Sequence, residues 1–374
     1  MKVLVLADDL TGAGDTVVAF ARSGWSALLS LSGGWVELPS EDAVALTLDT
    51  RNDPRAAEVT ARAVADLGGD RIYLKIDSTV RGRVAEQVRG ALTGRRRTRP
   101  GSFAVVCPAY PAMGRTVVDG IVSVDGRPVH QGPAGHDPVT PVATSDLREL
   151  IPGGAIAATT DAAAIREAAR EHDVVLVDAR EQRDLDRLAL AVAEIGPDAI
   201  PVGSAGLATA LARVWGGRET AAAEPAAVPH RGRALVVVSS LHETARAQVA
   251  RLRERVAADR LPVDLLVTPE ERDADAGVRR ARELAVEAAA ALGTREHDLL
   301  VLVGGDGAAQ TLLALGATGV RVSDALVEGL PVGTIVGGPY AGLAVATKAG
   351  GFGNDQTLTQ IIDAAGVGKE PTHE

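Results

Sequence analysis

The chain has 374 residues, of which 46% are hydrophobic and 24% are charged, and it contains 41 glycines. This length predicts two or three domains, and the composition excludes a disordered, collagen-like or coiled-coil protein. The net charge is −10 and only 2% of the residues are aromatic, which argues against a nucleic acid as a partner because phosphodiester backbones attract basic surfaces.

A single cysteine, Cys107, allows neither an internal disulfide nor a thiolate-rich metal site. We expect it to be a small buried residue. The apolar run at the N-terminus is too short for a signal sequence or a membrane span, and no later run reaches the length of about 18 residues that a span needs. The sequence therefore predicts a soluble, cytoplasmic protein.

Short apolar runs alternate with helical patterns along the whole chain. The predicted strands are Val3–Ala7, Ala43–Leu48, Arg71–Ile76, Phe103–Cys107, Val174–Val177, Ala199–Val202, Leu235–Val238, Val263–Val267, Leu299–Val303, Val332–Val336 and Leu343–Thr347. The predicted helices include Arg55–Leu67, Ala162–Glu171, Ala205–Trp215, Glu243–Ala257, Ala274–Leu292 and Ala308–Leu315. Continuous apolar strands between helices are typical of parallel sheets covered on both faces, which predicts the α/β class.

Residues 216–233 contain two adjacent glycines, an alanine run and two prolines, and this composition predicts a linker. It separates an N-terminal domain, residues 1–215, from a C-terminal domain, residues 234–374. We expect each domain to be a largely parallel sheet covered by helices, with a cleft between the two. Residues 115–141 lack helical periodicity and predict hairpins or an extended loop.

Three acids follow the first predicted strand: Asp8, Asp9 and Asp15, around Gly12 and Gly14. In open parallel sheets ligands bind beyond the carboxyl ends of the strands, so these acids are candidates for catalysis. They could bind sugar hydroxyls, hold Mg²⁺ or remove a proton from a hydroxyl. The alternative is that Asp9 or Thr11 only caps the next helix, but a cap accounts for one of these residues and not for three carboxylates.

Two further polar clusters follow strands, Asp49–Arg51 and the segment that begins at Lys75. Lys75 and Asp77 share a face of the strand end because side chains alternate along a strand. The turn that follows adds Ser78, Thr79 and Arg81. Such a mixture suits a polyhydroxy acid, with arginine binding its carboxylate. The alternative is a structural Lys75–Asp77 ion pair with serine and threonine caps.

Two more features point to an anion. Arg115 follows a proline-rich loop after the strand that holds Cys107, and we expect it to join the anion site. Only four of the 39 basic residues are lysines, and two of these, Lys75 and Lys348, lie inside motifs where a compact charge suits a phosphate or a carboxylate. The seven histidines show no spacing typical of zinc ligands.

Small residues follow the strands of the C-terminal part, in Ser239–Ser240, Gly304–Gly307, Gly337–Gly338 and Lys348–Gly353. Glycines at strand ends let backbone N–H groups approach a phosphate closely. The sequence has neither the P-loop pattern nor the dinucleotide fingerprint after the first strand, and this weakens a dinucleotide-binding interpretation.

Together these motifs resemble the four-carbon acid sugar kinase family. The matching elements are Ala7–Ala13 with Asp15, Asp49–Arg51, Lys75–Gly82, Pro108–Pro111 with Gly114–Arg115, Gly203–Leu207, Gly304–Asp306 and Lys348–Gly353. The resemblance implies an N-terminal sugar-acid domain and a C-terminal ATP domain. Members phosphorylate acids such as threonate, erythronate and 3-oxo-tetronates.

The resemblance also implies which residues contact the nucleotide. The ATP contacts carried over by motif are Ser240, Gly304, Gly305, Asp306, Gly307 and Gly350. Mg²⁺ would arrive with ATP and not sit in a dedicated protein cage. Two positions depart from the family pattern: Gly307 replaces a usual threonine, serine or alanine, and Ser239 replaces a glycine.

We therefore expect direct in-line transfer of the ATP γ-phosphoryl group to a hydroxyl of a sugar acid. Asp8, Asp9 or Asp15 serves as the base or Mg²⁺ partner, and the sequence does not choose among them. Arg51, Lys75 and Arg81 hold the carboxylate and the transferring phosphate. A nicotinamide-dependent sugar-acid dehydrogenase and a non-catalytic sugar-acid or nucleotide sensor are the alternatives, and a homo-oligomer is possible.

Overall fold

The computed structural model describes residues 1–31, 39–137, 139–157, 159–216, 232–269, 277–327 and 330–368. The chain divides into unit 1, which comprises Met1–Ala27 and Gly33–Thr220, and unit 2, which comprises Leu28–Ser32 and Ala221–Glu374. Most of the predicted linker, residues 217–231, lies outside the described residues. The domain boundaries stay a prediction.

The described elements alternate between strands and helices, as expected for the α/β class. The strands are β1 (Val3–Ala7), β2 (Ala27–Ser30), β3 (Ala43–Thr47), β4 (Arg71–Lys75), β5 (Phe103–Cys107), β6 (Arg115–Val118), β7 (Ile121–Val124), β8 (Arg127–Pro128), β9 (Gly154–Ile156), β10 (Val174–Leu176), β11 (Ala199–Gly203), β12 (Ala234–Val238), β13 (Val263–Val267), β14 (Leu299–Val303), β15 (Gly319–Val327), β16 (Leu330–Val336) and β17 (Ala344–Lys348). The helices are α1 (Leu10–Arg22), α2 (Ala56–Leu67), α3 (Val84–Arg95), α4 (Leu147–Leu150), α5 (Ala162–Ala168), α6 (Gln182–Ile195), α7 (Ala205–Gly216), α8 (Glu243–Asp259), α9 (Gly277–Thr294), α10 (Gly305–Ala314) and α11 (Thr357–Ala364).

Unit 1 contains a parallel sheet in the order β3-β1-β4-β11-β5-β10-β9. Its central strands are buried along their full length, as the continuous apolar sequence of β1 predicts. Cys107 is buried, as expected. The segment predicted to form hairpins supplies β6, β7 and β8, which form a small antiparallel sheet.

Unit 2 contains a sheet in the order β13-β12-β14-β17-β16-β15. The first four strands are parallel, and β16 and β15 then run antiparallel to their neighbours. The sequence patterns did not predict β15. They also missed β2, which apart from its first residue belongs to unit 2 and lies beside β15.

The predicted α/β class is confirmed for both units. Helices supply the apolar side chains that cover the sheets; in unit 2, Val249 and Leu252 of α8 and Ile361 of α11 pack into the same core as β12 and β14. None of the described helices combines the length and the apolar character that a membrane crossing requires.

Candidate functional site

The polar cluster of unit 1 lies where three neighbouring parallel strands end in register. Ala7 at the end of β1 pairs with Thr47 of β3 on one side and with Lys75 of β4 on the other. The motifs that follow these strands are therefore brought together at one edge of the sheet. Strands β3 and β4 lie on opposite sides of β1, so the direction in which strands are added to the sheet reverses here. Open α/β sheets bind ligands at such reversal points.

Arg51 pairs with the first two aspartates. Its Nε donates to Asp8 Oδ2 at 2.7 Å, and its Nη1 lies 2.8 Å from Asp9 Oδ2. The other oxygen of Asp9 accepts the Gly12 N–H at 2.7 Å and caps α1. The capping alternative is thus correct for Asp9, whose two oxygens are both engaged within the chain.

Asp8 is almost completely buried, and its Oδ1 has no hydrogen-bond partner among the described residues. Burial raises the pKa of Asp8, although the charge of Arg51 opposes this shift. The carboxylate is therefore fixed by one oxygen only.

Asp15 differs from both of these aspartates because it is partly buried in α1 and forms no hydrogen bond or ion pair among the described residues. Burial raises the pKa of Asp15 to about 7, while the charge of Lys75 acts in the opposite direction. A carboxylate that titrates near neutral pH and is not engaged by its own chain is suited to accept a proton.

Lys75 is a buried cation at the edge of the sheet where β3, β1 and β4 end. Its side chain is at the end of β4, and no described carboxylate lies within ion-pair distance of it. A Cβ atom on residue 12 would lie 2.9 Å from Lys75 Nζ and 2.8 Å from Asp9 Oδ1, so the site has room for the ammonium group only because residue 12 is glycine. The alternative of a structural Lys75–Asp77 ion pair is wrong, because Asp77 pairs with Arg81.

Asp77 instead binds Arg81. Arg81 Nε and Nη2 donate to the two oxygens of Asp77 at 2.9 and 3.1 Å, and Arg81 Nη1 donates to Asp137 at 3.1 Å. The Thr79 hydroxyl also donates to Asp77. Burial raises the pKa of Asp77, but the hydrogen bonds and the charge of Arg81 outweigh it and hold this pKa well below its usual range. Asp137 is a partner that the sequence patterns did not indicate.

The backbone around this group is strained at Val80, a buried β-branched residue with a φ of 56°. Such a conformation is unfavourable for valine and often occurs at ligand sites. A cavity of about 330 Å³ opens beside it, lined by Arg51, Val80 and Gly82 and on another side by residues 139–143.

Ser78 and Arg115 are two further residues that the sequence predicts to bind the substrate. Ser78 is partly exposed in the turn after β4. The Arg115 guanidinium donates to the Met113 carbonyl, and among the described residues it forms no hydrogen bond or ion pair with the aspartates of this edge. The substrate-binding role of both residues stays a prediction.

The glycine-rich loops of unit 2 also follow strands that end in register. Val303 of β14 pairs with Val238 of β12 and with Lys348 of β17. The Ser239 N–H donates to the Val303 carbonyl at 3.0 Å, and the Gly304 N–H donates to the Lys348 carbonyl at 2.8 Å. Three loops thus lie side by side at one edge of this sheet.

The small residues of these loops fit against each other. A Cβ atom on Gly307 would lie 2.2 Å from Ser239 Cβ, and one on Gly350 would lie 1.9 Å from Ser240 Oγ. Ser239 therefore occupies the volume that a side chain at residue 307 would need, so the two departures from the family pattern are sterically linked. Its hydroxyl donates to the Val303 carbonyl at 3.0 Å.

Helix α10 begins at Gly305 within the middle loop, and Asp306 is exposed in its first turn. Backbone N–H groups at the start of a helix have no partner within the helix and favour negative charge. The edge offers mainly backbone donors, a chemistry suited to phosphate.

Comparisons with known proteins match both parts of the chain. Residues 3–211 match the family described as "Sugar-binding N-terminal domain", and residues 273–358 match "Nucleotide-binding C-terminal domain". A D-threonate kinase of Bordetella bronchiseptica is 39% identical over 406 aligned residues, covering 96% of each chain. The chain belongs to the four-carbon acid sugar kinase family. The resemblance predicted from the motifs is thereby confirmed.

Two further comparisons extend the likeness. A D-threonate kinase of Salmonella typhimurium is 31% identical and covers 97% of this chain and 98% of its own. A solved Bordetella bronchiseptica structure described as a DUF1537 domain with bound citrate, a domain-swapped dimer, has 35% identity and a TM-score of 0.51, covering 98% of this chain and 99% of that chain. The predicted kinase class is confirmed, and the dehydrogenase and sensor alternatives are not favoured.

Proposed function

We propose that this kinase transfers the γ-phosphoryl group of ATP to a hydroxyl of D-threonate, with Asp15 as the base. The observation that carries the proposal is the pairing state of the three aspartates at the edge of unit 1. Asp8 and Asp9 are bound by Arg51, whereas Asp15 has no hydrogen-bond or ion-pair partner among the described residues and its pKa is raised by burial to about 7.

In this proposal Asp15 accepts the proton of the attacking hydroxyl while the oxygen bonds to the γ-phosphorus and the bond to ADP breaks. Direct transfer needs positioning and charge neutralisation more than covalent catalysis. Because Asp15 is half protonated near pH 7, it is well matched to a proton that moves during the reaction.

Lys75 and Arg51 supply the positive charge for the acid and for the transferring phosphate. Lys75 forms no ion pair with a described carboxylate, so its charge is available to a ligand. A solved Bordetella structure with 35% identity is described with bound citrate, itself a carboxylic acid. The substrate itself is chosen because the relatives at 39% and 31% identity are both D-threonate kinases.

In this proposal ATP binds to unit 2 at Ser240, Gly304–Gly307 and Gly350. Among the described residues no group of three His, Cys, Asp or Glu side chains could hold a metal ion. Mg²⁺ would arrive with ATP, held by the phosphate oxygens, and it would neutralise phosphate charge. We place the reaction in the cytoplasm, and we propose a homodimer because the Bordetella structure is one.

The test is ADP release, measured with a coupled assay against D- and L-threonate, D- and L-erythronate and their 3-oxo forms. We expect turnover that depends on the acid and is fastest with D-threonate. Turnover with erythronate or a 3-oxo form, and not with D-threonate, would show that the proposed substrate is wrong. If none of these acids causes ADP release, the proposed function is overturned, whether or not the absorbance of a nicotinamide cofactor changes.

A further inference from the structure

Lys348 is a buried cation to which the proposed function gives no role. It is the last residue of β17, and only 3% of it is exposed. Its Nζ donates to the Ala349 carbonyl at 2.7 Å and to the Gly350 carbonyl at 3.5 Å. Both partners are neutral, so these hydrogen bonds hold the ammonium group without balancing its charge.

The surroundings of Lys348 contrast with those of Arg51 and Arg81. Arg51 and Arg81 each bind two aspartates. No described carboxylate forms an ion pair with Lys348, and burial alone lowers its pKa to about 8, without a contribution from an acidic group. A buried unpaired charge is costly to the fold, and such groups are commonly retained because a ligand uses them.

The position of Lys348 indicates what that ligand is. Its carbonyl accepts the Gly304 N–H, and its Nζ binds the loop that contains Gly350, whose Cα lies against Ser240. The lysine therefore lies where all three loops of unit 2 meet. A group that brings multiple negative charges to this edge would neutralise it.

We propose that Lys348 is a binding residue for the nucleotide polyphosphate, providing the positive charge that the glycine-rich loops lack. This inference rests on the proposed function of unit 2 in binding ATP. Backbone N–H groups recognise phosphate oxygens but carry only partial charge, and a lysine adds a full charge to a phosphate site.

The test compares ADP with adenosine as probes, using calorimetric titration of the wild-type chain and of Lys348→Met. Methionine keeps a long side chain but has no charge. We expect ADP affinity to fall by about 10- to 100-fold, as for the loss of a charge-assisted contact, while adenosine affinity stays within about twofold. Because the change removes an unbalanced buried charge, we also expect the Tm of the ligand-free protein to rise.

Lys2→Met is the matched control, because Lys2 Nζ also donates to backbone carbonyls, those of Pro39, Ser40 and Glu41. It should leave ADP affinity unchanged. Lys348→Gln repeats the test if the methionine variant does not fold, with the same expected loss. Lys348→Arg should retain part of the ADP affinity, since it keeps the charge.

Unchanged ADP affinity in Lys348→Met would overturn the inference. An equal loss of ADP and adenosine affinity would also overturn it, because that result indicates a residue that only supports the loop. Wild-type protein that binds no ADP would contradict the proposed function itself, which separates this failure from a failure of Lys348 alone.

Discussion

Unit 1 and unit 2 each place three parallel strands in register, yet the residues that follow those strands differ in kind. In unit 1 the ends of β3, β1 and β4 carry charged side chains, most of them paired with each other. In unit 2 the ends of β12, β14 and β17 carry glycines, serines and one buried lysine. In the proposed function, the same sheet geometry would serve side-chain recognition of an acid in one unit and backbone recognition of phosphate in the other.

The contrast between the two units predicts that removing the proposed base, Asp15, has the largest effect, and that this effect is on the reaction rate. Asp15→Asn keeps the shape but cannot accept the proton, so we expect kcat to fall by about 10²- to 10⁴-fold. The affinity for ADP should not change, because the base belongs to unit 1. Steady-state kinetics and calorimetry measure the two quantities.

Asp66→Asn is the matched control, since Asp66 is exposed and pairs only with Arg62 on α2. It should keep the wild-type rate. A normal rate in Asp15→Asn would assign the base to Asp8 or Asp9, and the distinction between paired and unpaired aspartates would then have no catalytic meaning.

The fit between Ser239 and Gly307 offers a second test, this time in unit 2. Gly307→Ala places a Cβ atom 2.2 Å from Ser239 Cβ, so one of the loops must shift. We expect ADP affinity to fall by about tenfold or more, with about 1–3 kcal/mol of lost stability. Ser239→Gly in the same chain should restore both, as measured by titration and urea unfolding.

Gly101→Ala provides the comparison, because no atom lies within 4 Å of the position a Cβ would take there. It should bind ADP normally. If Gly307→Ala also binds ADP normally, or if the double variant is no better than the single one, the two residues are not sterically linked.

The pH dependence of the rate should show a smaller effect. The pKa of Asp15 is about 7 and the base must be unprotonated. The active fraction therefore rises with pH, and we expect kcat to increase by about tenfold between pH 6 and pH 8. Asp15→Asn should lack this rise over the same range. A rise that persists in the variant would show that another group titrates.

The last expected effect concerns the free energy of unfolding. Asp77→Asn leaves Arg81 with a weaker acceptor, and we expect a loss of about 2–3 kcal/mol at pH 7. Because the pKa of Asp77 is lowered in the fold, its contribution is fully present above the unfolded value of about 4 and is lost only as the pH falls through the much lower pKa of the folded state. Urea unfolding should show the same difference from wild type at pH 7 and pH 5 and a progressively smaller one as the pH is lowered below about 4; a difference that does not shrink on acidification would contradict this account.

The sequence predicted the strands, the class and the motifs well because each depends on a local pattern. It placed Asp8, Arg51 and Lys75 after strands, and the rule about strand ends was sufficient to group them. The pairing within the group was not accessible, since Arg81 finds Asp137 only through tertiary structure. The strand β2 was also missed, and it has only four residues.

Phosphorus NMR of a reaction with ATP and D-threonate tests most directly whether the two edges belong to one phosphotransfer reaction. We predict a new phosphomonoester signal that grows in step with ADP and is absent when D-threonate is omitted or when Asp15→Asn replaces the wild-type protein. Formation of inorganic phosphate alone, or a spectrum of unchanged ATP, would contradict the account.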